Sequence, residues 1–171
     1  MKLWLLDADV IIDFLGIDVF DKLVEHHEIY VSSTVIEEVK FFRKEERKHE
    51  IDFKGQYIDS ERVTELYASL DEISAILEKL PKTFRETIDP GELESLAILV
   101  REQEELVFCS CDAAAIRALP FLDVSHLGIS AESLLRSSGL LKPGLKDRHT
   151  EEYFKSNLSI GEREKIYNFK A

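Results

Sequence analysis

Two four-residue apolar runs constrain this chain most: Leu3-Trp4-Leu5-Leu6 and Leu106-Val107-Phe108-Cys109. Asp7 closes the first, and Asp112 follows the second after Ser110-Cys111. Runs this short and this apolar suit strands covered on both faces, so residues 2–7 read as a buried strand. Helical patterns follow each run. Strands alternating with helices define an α/β protein with a short parallel sheet. The carboxyl ends of such strands share one edge, where ligand sites collect. Acids gathered there repel one another unless a cation neutralises them, and an all-oxygen cluster suits Mg²⁺ or Mn²⁺.

The rest of the chain supplies further elements. Asp9 is expected to cap a helix carrying Val10, Ile11, Ile12, Phe14 and Leu15, ended by Gly16. Ile29-Tyr30-Val31 reads as a strand, and Ser32, Ser33 and Thr34 offer caps for a helix through Val39. Residues 41–59 are highly charged with weak periodicity. Val63, Leu66, Tyr67, Leu70, Ile73, Leu77 and Leu80 follow helical spacing, which predicts a long helix stopped by Pro81. Residues 41–85 are therefore expected as a helical insertion, with a helical hairpin projecting from the sheet. Asp89-Pro90-Gly91-Glu92 has the form of a capping box with proline at the first helical position. A helix over 113–119, a strand over 123–125 and a helix over 130–136 follow. Beyond Pro143-Gly144, Glu151–Lys155 and a final helix opened by Ser159-Ile160-Gly161-Glu162 form a C-terminal extension, residues 142–171. Residues 1–141 form the main domain.

With 171 residues and 44% apolar content, the chain can bury one core. No apolar stretch reaches membrane-span length and no secretory pattern is evident, so a cytoplasmic location is expected. Cys109 and Cys111 read as small buried residues. The net charge of -12 counts against sequence-independent nucleic-acid binding. Local basic clusters soften that objection: Lys40, Arg43, Lys44, Arg47 and Lys48, then Lys142, Lys146 and Arg148. Taken singly, each cluster reads as a solvated surface.

Each candidate acid has a structural alternative. Asp7 could cap a helix, but Asp9 fills that role better, which leaves Asp7 for function. Asp9 and Asp13 are explained by capping and exposure. Glu37 and Glu38 differ by about 100° on their helix, and periodicity does not choose between them. Glu92 is occupied as the capping-box partner of Asp89, so Glu94 is the better ligand candidate. Asp112 could cap the helix after it or face the shared edge, and Ser110 could hydrogen-bond a ligating oxygen.

In order, these segments resemble the PIN domain, a family of metal-dependent nucleases. The motifs are Leu5-Leu6-Asp7-Ala8-Asp9-Val10-Ile11, then Val31-Ser32-Ser33-Thr34-Val35-Ile36-Glu37-Glu38-Val39, then Asp89-Pro90-Gly91-Glu92-Leu93-Glu94-Ser95-Leu96-Ala97, then Phe108-Cys109-Ser110-Cys111-Asp112-Ala113. Residues 128–141 also look like the end of the bacterial and archaeal branch with the Gly-Glu helix. The resemblance implies a three-layer α/β/α fold with a mainly parallel sheet. It assigns Asp7, Glu38, Glu94 and Asp112 as catalytic, with Asp7, Glu94 and Asp112 holding Mg²⁺ or Mn²⁺; Asp9, Glu92 and Ser110 are secondary candidates. It further implies a ribonuclease acting on RNA, commonly the toxin of a toxin–antitoxin pair, with a small antitoxin partner and a homodimeric state. Asp9, the long 41–85 region and the acidity depart from the family pattern. Two other functions compete. Asp7-Ala8-Asp9 also resembles the opening of haloacid-dehalogenase-like phosphatases, with Asp7 as nucleophile and Asp9 as acid/base, although Ile11 and the missing late acidic pair depart from that family. The other is a catalytically inert PIN-like binding module whose acidic groove receives a basic partner.

Overall fold

A computed structural model describes residues 3–103 and 105–170, without the side chains of 169 and 170. Lys2, placed in the first expected strand, lies outside the described residues. The strands are β1 (Leu3–Leu6), β2 (Glu28–Ser32), β3 (Phe41–Lys44), β4 (Arg47–Glu50), β5 (Thr64–Leu66), β6 (Leu106–Cys109) and β7 (Gly128–Ile129). The helices are α1 (Ala8–Gly16), α2 (Phe20–His26), α3 (Ser33–Glu38), α4 (Leu70–Lys79), α5 (Lys82–Arg85), α6 (Pro90–Arg101), α7 (Ala113–Ala118), α8 (Ala131–Ser137) and α9 (Glu151–Lys170).

Five strands form one sheet in the order β5-β2-β1-β6-β7, and every pairing is parallel. Side chains alternate across it. Trp4 and Leu6 join a core cluster with α1, α2 and α8, whereas Leu5 and Phe108 join the opposite cluster with α4, α6, α7 and α9. Both faces are thus covered, giving an α/β/α layering around a mainly parallel sheet. Trp4, Phe14, Phe20 and Phe108 are essentially inaccessible to solvent, and burying a side chain of that size contributes roughly 1.5–3 kcal/mol. Among the described residues no helix is long and apolar enough to cross a membrane.

The region 41–85 is only in part the expected helical insertion: a π-helical turn at Lys54–Ile58, α4 and α5 are helical, and the rest is not. Its first part is an antiparallel ribbon, β3 on β4, with Glu45 and Glu46 at positive φ in the turn between them. Val63 and Leu66, counted as one helical stripe with Leu70 and Leu77, instead belong to the segment that β5 adds to the sheet edge beside β2. Tertiary pairing overrides the spacing there. The helix starts only at Leu70, where Ser69 and Glu72 form a reciprocal capping box.

Three further elements differ from expectation. Asp123 is left-handed, a 3₁₀ turn covers 125–127, and the strand beside β6 is Gly128–Ile129. The C-terminal helix is continuous through Ser159. Gly161 is there for packing: a Cβ would stand 2.3 Å from the Arg117 carbonyl oxygen on α7. Finally, Asp7 rather than Asp9 caps α1, accepting from the Ala8 N–H at 2.8 Å.

Candidate functional site

From β1 the chain builds outward through β2 to β5, and later through β6 to β7 on the other side. The switch point between β1 and β6 is where open parallel sheets hold their ligands. Asp7 and Ser110 emerge there from adjacent strands, and the Asp7 N–H donates to the Cys109 carbonyl at 3.2 Å. The Ser110 hydroxyl donates to Asp7 Oδ2 at 2.9 Å and accepts from the Asp112 N–H at 3.1 Å. Asp112 in turn caps α7, with Oδ1 accepting from the Ala115 N–H at 3.0 Å.

Asp7 is 3% exposed. Burial pushes its carboxyl up to about 7; the Ser110 and Ala8 hydrogen bonds oppose that, and the charges of Asp9 and Glu38 reinforce it. Glu92 goes further, to about 9, through burial and then the negative charges of Asp7 and Asp112. Glu38, at the end of α3, is also raised, by burial and by Asp89 and Asp9, while the Gly91 N–H opposes. Gly91 allows that approach: a Cβ there would meet Glu38 Oε2 at 2.6 Å.

The edge therefore brings together Asp7, Asp112 and Glu92, with Glu38 and Asp9 within electrostatic reach. Glu94, the ligand expected from sequence, lies past the ends of β2 and β5 with both its oxygens engaged by backbone amides. About 200° round the helix from Glu92, its carboxylate accepts from the Thr34 N–H at 2.8 Å and the Ala68 N–H at 3.2 Å. It clips the start of α3 and the end of β5 to α6. The capping box that seemed to occupy Glu92 is real, with the Asp89 N–H donating to Oε2 at 3.1 Å, but it uses one oxygen of a carboxylate that has two. Asp89, read from the sequence as a helix cap alone, also bears on the charge of Glu92 and Glu38.

Among the described residues none of Asp7, Glu38, Glu92 and Asp112 is ion-paired. Nor do three His, Cys, Asp or Glu side chains among them converge tightly enough to hold a metal ion as they stand. The donor chemistry fits a hard divalent cation: carboxylate oxygens without a counter-charge, at a switch point.

Asp13 has a different role from the exposed one expected. Its side chain is 8% exposed and accepts from Lys146 Nζ at 2.9 Å, Arg148 Nη2 at 2.5 Å and His149 Nε2 at 2.7 Å. Burial alone would raise its carboxyl; those hydrogen bonds hold it well below the usual carboxylate range. Asp9 is exposed and, among the described residues, pairs only with Arg148, at 3.6 Å. Lys146 and Arg148, read as a solvated cluster, thus tie the C-terminal segment to α1. Cys109 and Cys111 are buried free thiols.

Comparison with protein-family models, curated proteins and solved structures finds no match to this chain.

Proposed function

We propose that the switch-point acids form the centre of a metal-dependent phosphodiester hydrolase acting on RNA, on a PIN-like scaffold. One observation carries this reading: Asp7 and Glu92 are buried, the negative charges of Asp7 and Asp112 bear on Glu92, and neither Asp7 nor Glu92 has a cationic partner among the described residues. Such an arrangement is costly for the apo fold. A divalent cation at this edge would neutralise a scissile phosphate and lower the pKa of a bound water.

The chain's own residues orient the donors. Ser110 fixes Asp7 and is itself fixed by the Asp112 backbone; Ala115 and Asp89 hold one oxygen each of Asp112 and Glu92. Among the described residues, that leaves Asp112 Oδ2 and Glu92 Oε1 without a hydrogen bond. Glu38 stands on the β2 side of Asp7 and Asp112 on the β6 side, so substrate would cross the edge between them. Glu94 has a supporting role in this proposal. The phosphatase alternative needs Asp9 as acid/base, and its exposed carboxylate beside Arg148 gives that little support. A toxin role with a small antitoxin belongs to the same proposal and depends on the same edge.

The test is Mn²⁺-dependent cleavage of mixed RNAs by wild type, Asp7→Asn and Asp112→Asn, together with thermal melts with and without Mn²⁺. Cleavage and a Mn²⁺-induced rise in Tm, both lost in the variants, are expected. A wild-type melting curve unchanged by millimolar Mn²⁺, with no cleavage, would replace this proposal with an inert binding module.

A further inference from the structure

The β3–β4 ribbon places cation opposite cation. Its register pairs Arg43 with Lys48 and Lys44 with Arg47. Like charges directly opposite on a ladder are destabilising. One pair is relieved, since Lys44 reaches Asp18 at 2.7 Å. Arg43 and Lys48 make no ion pair among the described residues, although Lys48 Nζ lies 4.4 Å from the Phe41 ring centroid. The ribbon nevertheless sits firmly on the body. Phe42 packs against the core, and a Cβ on Gly16 would stand 2.5 Å from the Arg43 carbonyl oxygen.

Phe41, Arg43, Lys48 and Glu50 share one face of the ribbon. A groove of about 640 Å³ joins part of that face to the acidic edge, being lined by Phe41, Lys48 and Lys40 together with Glu38. Glu50, opposite Phe41 on the same face, and Asp52 also line it, so the cationic part of the face is its Arg43–Lys48 end. In a chain of net charge -12, a ribbon that sets cation against cation beside carboxylates is electrostatically unusual. A polyanion laid along this face would relieve the repulsion.

We propose that the β3–β4 ribbon is the substrate-docking arm of the protein, with Arg43 and Lys48 gripping consecutive phosphates of single-stranded RNA whose neighbouring phosphodiester lies at the Glu38 end of the acidic edge. The choice of RNA rests on the function proposed above; the docking itself does not require cleavage.

The experiment measures binding of a labelled mixed-sequence single-stranded RNA to the full chain in EDTA, where no metal-dependent cleavage occurs. Arg43→Gln/Lys48→Gln is compared with Lys22→Gln/Lys79→Gln, which makes the same change in net charge elsewhere. The ribbon variant should bind about tenfold more weakly, with a salt-dependence slope shallower by about 1.4, since each single-strand phosphate contact contributes about 0.7. Its Tm should be equal to or above wild type because the repulsion is gone, which separates lost docking from lost folding. The control pair should bind like wild type. Equal binding by both variants overturns the docking arm and leaves the nuclease proposal standing. Absence of RNA binding by wild type also overturns it, as does a ribbon variant that loses only polyglutamate binding, which would mark an acidic protein partner. Weakened RNA binding by the ribbon variant, in a wild type that never cleaves with Mn²⁺, supports the arm and removes the nuclease reading alone.

Discussion

The Ser110 hydroxyl donates to Asp7 Oδ2 over 2.9 Å, joining residues 103 positions apart across the switch point of the sheet. That bond favours the ionised carboxylate against the burial that raises its pKa. Ser110→Ala should therefore move Asp7 further up, so that Mn²⁺ binding, which needs the carboxylate, begins at higher pH. The loss of one buried hydrogen bond should cost about 1–3 kcal/mol at pH 8. Mn²⁺ titrations followed by thermal shift across pH would check this. An onset that does not move would separate Ser110 from the site.

Asp7 and Glu92 also fix the sign of a pH effect. Their folded-state pKa values, about 7 and about 9, stand above the ordinary 3.8 and 4.5. Between roughly pH 4 and 9 the folded protein holds protons that the unfolded chain releases, so stability from these groups declines as pH rises. Asp7→Asn/Glu92→Gln should remove that decline and make the metal-free protein more stable than wild type at pH 8, by on the order of a few kcal/mol. Denaturant melts at pH 5, 7 and 9 would measure it. A wild type that gains stability over that range relative to the variant contradicts the assignment.

Glu92 and Glu94 should separate cleanly. Glu92→Gln removes a carboxyl that the fold must hold protonated near neutral pH, so it should preserve or raise the metal-free Tm and abolish the Mn²⁺-induced shift. Glu94→Gln weakens the acceptor for the Thr34 and Ala68 amides. It should lower the Tm, by about 1–3 kcal/mol of stability, while keeping the Mn²⁺-induced shift. The reverse pattern would return the ligand role to Glu94.

Glu94 also shows where sequence reasoning stops. The apolar runs at 3–6 and 106–109 carry their own strand signal because both faces are buried, and the Asp89–Glu92 capping box is local chemistry that spacing reveals. Which of two glutamates on one helix faces a distant strand end depends on how α6 is rotated against α3 and β5, and local spacing carries no such information. The same applies to Val63 and Leu66: helical periodicity and an edge strand followed by a helix fit the same residues until β2 offers its pairing edge. Ser69 and Glu72 were the available signal for a helix beginning at 70. At Ser159-Ile160-Gly161-Glu162 the capping pattern misled because Gly161 answers to the Arg117 backbone, a contact across 44 positions of chain that no window contains.

Asp13 gives the opposite pH signature. His149 Nδ1 accepts from the Lys146 N–H at 3.1 Å, so Nε2 carries the proton donated to Asp13. The imidazole is 3% exposed, whereas Arg148 and Lys146 reach solvent at 36% and 61%. Asp13→Asn should therefore cost about 2–3 kcal/mol at pH 7, below the 3–5 of a fully buried pair because both cations, Lys146 and Arg148, remain hydrated. Asp13 has a depressed folded-state pKa, so its stabilisation is present above the ordinary 3.8 and is lost as pH falls through the folded value. The difference between wild type and variant should shrink steadily in acid below about pH 4, the reverse of the trend at Asp7 and Glu92. Because the network ties residues 146–149 to α1, hydrogen exchange in the variant should quicken first in that segment and the opening turn of α9. Uniform quickening through the sheet would mean that Asp13 supports the whole core and not the C-terminal tether.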